Sequence, residues 1–65
     1  MSDKVDLHVG VQIRRRRKLL ELSMRELAEK SELTAGFIGQ VERGESTPSL
    51  ATLIRIAEIL QTPVS

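Results

Sequence analysis

The feature that most constrains this chain is a pair of helix starts set close together. Ser23 followed by Glu26, in the stretch SMRE, has the form of a capping box, in which a hydroxyl and a carboxylate each satisfy an N–H group left bare at a helix start. Thr34, ahead of AGFIGQVE, offers the same hydroxyl chemistry one short helix later. Helices are therefore expected over 24–31 and 35–43. A link of about three residues leaves two short helices no room to lie antiparallel, so they must cross steeply.

The second of these helices is divided by its own periodicity. Thr34, Phe37, Ile38 and Val41 recur at helical spacing and face one way, while Ala35, Gly36, Gly39, Gln40 and Arg43 face the other. That outward face is almost bare. A helix that only needs solubility carries charges there, whereas two glycines and an alanine let a backbone come close to something large. Gly44 is placed to end the helix in a left-handed cap.

Two more helices flank this pair. Asp6 is an N-cap candidate for a first helix over about 7–20, with Val9, Ile13 and Leu20 inward, after a flexible segment over 1–6. Glu21 stands where a Gly suits a left-handed cap, so the turn after it is expected to be strained or of another type. Ser49 after Pro48 caps a fourth helix over about 50–61, on which Leu50, Leu53, Ala57 and Leu60 form an inward stripe. Ile54, Ile56 and Ile59 spill beyond that stripe, a surplus of apolar surface that suits a partner subunit or a following segment. No strand pattern or repeat appears, and the domain, running over 7–62, is all-α.

Composition narrows the function by exclusion. At 65 residues the chain is one domain whose elements must share one core. It has no Cys, one His (His8, expected at the surface), and aspartates only at Asp3 and Asp6, so no triad, carboxylate dyad or metal cluster assembles; no enzyme and no cofactor is expected. No stretch approaches the roughly 20 apolar residues of a membrane span, and with no secretory h-region either, a cytoplasmic protein is expected. The net charge is only +1, yet Arg14-Arg15-Arg16-Arg17-Lys18 concentrates the excess positive charge in one run. Five successive side chains point all round a helix, so the run by itself reads equally well as a solvated face.

Taken in order, VGVQIRRRRK, LSMRELA, LTAGFIGQVERGESTPSL and TLIRIAEIL resemble the phage-repressor/Cro (xenobiotic-response-element) helix-turn-helix family over residues 9–61. The tail STPSLATLIRIAEIL, with Met24 after Ser23, is similar to that of bacterial regulators that carry a small-molecule-sensing cupin domain. The resemblance implies a compact four-helix, lambda-repressor-like DNA-binding domain, to which a fifth helix can be added. It also implies that Arg17 and Glu42 form a buried ion pair joining the first helix to the third. Glu21 and Glu32 depart from the family pattern, which usually has glycines there, and Met24 replaces a glutamine that helps at a phosphate in many members.

The same resemblance assigns a DNA interface. Gln40 is the best base reader, its amide matching adenine N6 and N7, with Ala35 offering a methyl to thymine and Gly36 and Gly39 admitting the helix deeply. Phosphate contacts fall to the backbone N–H groups of Ser23 and Met24, to Thr34, to Arg43 at the helix end, which sits over the phosphate backbone or reaches one base, and to Ser46 and Thr47 in the following turn. The implied protein is a transcription regulator, a repressor, that binds a double-stranded operator as a homodimer through the fourth helix or a further C-terminal segment. A protein-interaction module of the same fold, antitoxin-like or a scaffold, is the competing expectation.

Overall fold

A computed structural model describes residues 2–61, with side chains from His8 onward. The chain order is α1 (Ser2–Leu19), α2 (Met24–Ser31), α3 (Ala35–Glu42) and α4 (Leu50–Leu60), and among the described residues all regular structure is helical. The caps are those the sequence dictates. Ser23 and Glu26 exchange both bonds of the capping box, at 2.9 and 2.8 Å. The Thr34 hydroxyl accepts from the Phe37 N–H at 3.1 Å, and the Ser49 hydroxyl from the Thr52 N–H at 3.1 Å.

The helices end by a shared device. Gly44 adopts a left-handed conformation (φ 76°), and the N–H groups of Gly44 and Glu45 close back on the carbonyls of Val41 and Gln40. Glu21 (φ 58°) and Glu32 (φ 61°) do the same after α1 and α2. The departures from glycine therefore leave the turns regular. A non-glycine residue in this region costs about 1–2 kcal/mol, and the backbone bonds that replace lost helical ones hold it there.

Each helix gives side chains to one core: Ile13 from α1, Leu27 and Ala28 from α2, Ile38 and Val41 from α3, Ile56 and Leu60 from α4. Val9, Leu20, Phe37 and Leu53 pack at its edge. The inward stripe of α4 is rotated from the one expected. Ile56, expected to spill outward, is fully buried, and Leu50, expected inside, is 67% exposed. Ile59, also expected to spill outward, packs against the core, while Leu53, Ala57 and Leu60 turn inward as expected. Ile54 is exposed as expected.

α1 also starts earlier than expected. Its backbone is helical from Ser2, so Asp6 is inside the helix and not its N-cap. A cap residue permits a start without forcing one, and no proline interrupts the residues before it. Over 2–6, where a flexible segment was expected, the backbone is helical, while Met1 and the expected ending at Thr62 and Pro63 lie outside the described residues.

The capping box makes part of the stability pH-dependent. Hydrogen bonds from the Ser23 backbone N–H, then its side chain, hold the Glu26 carboxyl below the usual carboxylate range. A carboxyl with a lowered folded pKa stabilises the fold above its unfolded value and loses that contribution as pH falls through the folded one. Thermal melts taken from pH 6 down to pH 3 should show an acid-side fall that shrinks in Glu26→Gln, where the amide keeps the cap but no longer titrates.

Candidate nucleic-acid interface

The run of five basic residues in α1 is divided by packing into three jobs. Arg17 is 7% exposed and points into the fold, donating from Nε to Glu42 Oε2 at 2.7 Å and from Nη2 to Glu42 Oε1 at 3.0 Å. Its Nη1 donates to the Leu22 carbonyl at 2.8 Å, so one guanidinium ties α1, the turn after it and the end of α3 together. The bonds to Glu42 raise the Arg17 pKa above its ordinary value, outweighing the desolvation that acts against the charge. This is the pair the family resemblance implies.

Arg16 turns the other way and donates from Nε to the Leu60 carbonyl at 2.8 Å, a cation at the negative end of α4. Arg14, Arg15 and Lys18 remain outside. With Val11, Glu42 and Arg43 they line an open depression of about 500 Å³ beside the end of α3. The excess positive charge of the chain is thus delivered next to α3.

α3 itself is anchored on one side only. Ile38, Val41 and Glu42 are buried, while Ala35, Gly36 and Gln40 are exposed, and a Cβ added at Gly36 meets nothing within 4 Å. Gly39, expected on this bare face, is instead buried. A Cβ built there lies 3.0 Å from Arg43 Nη1 and 3.5 Å from the Met24 sulfur. Two side chains roof this glycine, so the open strip comprises Ala35, Gly36 and Gln40.

The groups expected at phosphates differ in what already engages them. The Ser23 N–H is already donated to Glu26 Oε1 at 2.8 Å, so the capping box takes the group assigned to a phosphate. Met24, Thr34 and Thr47 are exposed on the described surface. Arg43 is exposed but bound in a two-point pair with Glu45, from Nε at 3.0 Å and Nη2 at 3.2 Å. The Ser46 hydroxyl donates to Gln40 Oε1 at 3.3 Å, tying the proposed base reader to the turn. His8 is exposed, as expected.

Three residues escaped the sequence reading. Gly10 is buried against α3, and a Cβ there would collide with the Val41 carbonyl oxygen. A lone glycine inside a helical pattern signals such close packing, so this contact was findable. Arg16 and Glu45 carried no signal, because their partners are set by the relative placement of helices and by a turn.

Comparison with known proteins follows the same line. Residues 13–65 match the profile of the family described as Helix-turn-helix. An HTH-type transcriptional regulator of Sinorhizobium medicae is 38% identical over 61 residues, covering 94% of this chain and 44% of that protein. Control protein C.SmaI of Serratia marcescens is 44% identical over 52 residues, covering 80% of this chain and 62% of that protein. The crystal structure of the restriction-modification controller protein C.AhdI from Aeromonas hydrophila superposes with a TM-score of 0.83 at 32% identity, covering 88% of this chain and 83% of that one. The chain spans 29% to 44% of the length of the first curated relatives it matches. These relatives carry the names of transcriptional regulators and control proteins, which favours DNA-binding regulation over an interaction module. Among the described residues no helix is long and apolar enough to cross a membrane.

Proposed function

We propose that this chain, which belongs to the helix-turn-helix family of DNA-binding transcriptional regulators, lays α3 in the major groove of a two-fold-symmetric operator and acts as a homodimer and repressor. The observation that carries this reading is the one-sided anchoring of α3. Its inner face is locked by Ile38, Val41 and the Arg17–Glu42 pair, and its outer strip of Ala35, Gly36 and Gln40 is open to approach.

Gln40 reads base edges in this arrangement, with its amide offered to adenine N6 and N7. Ala35 contributes a methyl contact, and Gly36 lets the helix backbone come near the bases. The N-terminal ends of α2 and α3, with Met24 and Thr34, face one phosphate chain, while Thr47 in the turn after α3 faces another. Arg14, Arg15 and Lys18 add a basic field beside the helix. A single domain spans only a few base pairs, and a second copy doubles the sequence read.

Selection of binding sites from random duplex DNA tests this directly. The wild-type chain should enrich a palindromic sequence, and Gln40→Ala should lose about tenfold or more in discrimination at one base pair per half-site, since a good two-point contact contributes about 1–3 kcal/mol there. An unchanged preference in Gln40→Ala removes that residue as a reader. Failure of the wild type to bind any duplex at low salt removes the function.

A further inference from the structure

The turn after α3 does more than end the helix. Arg43, the C-cap residue, is gripped from the side: its Nε and one Nη2 hydrogen go to the two oxygens of Glu45, at 3.0 and 3.2 Å. A planar guanidinium held by that edge has its other edge, the Nη1 and remaining Nη2 hydrogens, turned away from the carboxylate. The missing side chain at Gly39 is what lets the guanidinium settle along α3, because a Cβ there lies 3.0 Å from Nη1. The adjacent residue repeats the theme, with Ser46 donating to Gln40 Oε1 at 3.3 Å. Consecutive residues of one turn thus hold the two longest polar side chains of the α3 surface.

We infer that Glu45 is a positioning residue that presents the end-on fork of Arg43 to a base edge, making Arg43 a second sequence reader with guanine as its target. The inference deepens the proposed DNA-binding function and rests on it. Two parallel donors about one guanidinium width apart match guanine O6 and N7, the pair of acceptors that no other base offers in the major groove. An arginine left loose would swing to the nearest phosphate and contribute equally to every sequence. Tied to a carboxylate, it forms a pair of zero net charge that adds little non-specific attraction, so its contribution is kept for the base that fits the fork. The Glu45 carboxyl is held below its usual range by the bonds from Arg43, consistent with the pair persisting at neutral pH. The pair is exposed, with side chains 58% and 55% accessible, so removing Glu45 leaves the fold intact.

The test compares wild type, Glu45→Gln and Arg43→Lys in duplex binding to the selected operator and to a scrambled duplex over a range of salt. Glu45→Gln frees the cation. It should bind the scrambled duplex more tightly, steepen the salt dependence by about one ion, and bind the operator less well, so that the ratio of the two affinities falls about tenfold. Arg43→Lys keeps the charge but not the fork, and should lose a guanine preference at one base pair while its affinity for the scrambled duplex holds. Melting temperatures of both variants should match the wild type. If Glu45→Gln raises affinity for both duplexes equally, Glu45 is only a competitor for phosphate and the inference fails. If the wild type binds no duplex, the proposed function fails with it, and that outcome is distinguishable from the first.

Discussion

Gly10→Ala is expected to destabilise the domain, although Ala is the better helix former by about 1 kcal/mol. The new methyl carbon would collide with the Val41 carbonyl oxygen and lie 2.7 Å from that of Glu42 and 2.9 Å from the Glu42 carbonyl carbon. All three are backbone atoms of α3, so no side chain can swing aside to relieve the contact. Overpacking of this kind costs about 3 kcal/mol where nothing yields, which exceeds the propensity gain and leaves a net loss near 2 kcal/mol. In a domain of this size that lowers the melting temperature by roughly 10 °C or more.

Gly36→Ala supplies the contrasting sign. It too is a helical glycine, but its Cβ meets nothing, so only the propensity term acts and stability should rise by about 0.5–1 kcal/mol. Thermal denaturation of both variants decides the matter. Equal gains in both would mean that α1 and α3 do not cross in contact at Gly10.

The largest loss is expected from breaking the Arg17–Glu42 pair on one side. Glu42→Gln leaves a guanidinium without its counter-charge, and Arg17→Met leaves a carboxylate, at positions each only 7% exposed. Removing one member of such a pair typically costs about 3–5 kcal/mol. The whole stability of a domain this long is roughly 3–10 kcal/mol, so either single variant should be largely unfolded near physiological temperature. The double variant Arg17→Met/Glu42→Leu should recover most of the loss, because no charge is left stranded. Recovery should stop short of complete, since the Leu22 carbonyl loses the donor that Arg17 supplies at 2.8 Å. A denaturant-melt cycle over the four proteins measures the coupling. Simple additivity of the two single losses would show that the pair is not the fastener between α1 and α3.

Much of this fold was legible because it is local. The capping box at Ser23 and Glu26, the caps at Thr34 and Ser49, and the left-handed turn at Gly44 all depend on groups within a few residues of one another. The inward set of α3, Ile38 and Val41, follows from helical period alone. The Arg17–Glu42 pair was reachable only through resemblance, since nothing in a run of like charges marks which member turns inward. On the outward face of α3, Gln40 and Gly36 stand open as expected. Gly39 does not, because Met24 and Arg43 come to cover it from another helix and from the helix end.

The sequence by itself determined where α2, α3 and α4 start and stop, because those limits are set by hydrogen bonds spanning a single turn; the start of α1 at Ser2 carried no such mark. It likewise determined that α3 has one apolar side and one bare side. Tertiary structure alone decided how far each helix is rotated about its axis, which put Ile56 in the core and Leu50 in solvent. It also decided how the basic run is shared among Glu42, the end of α4 and the open surface, and why Gly10 admits no side chain. Those outcomes rest on contacts between residues far apart in the chain. Periodicity along one helix fixes which residues share a face, but only the neighbouring helices fix which way that face points.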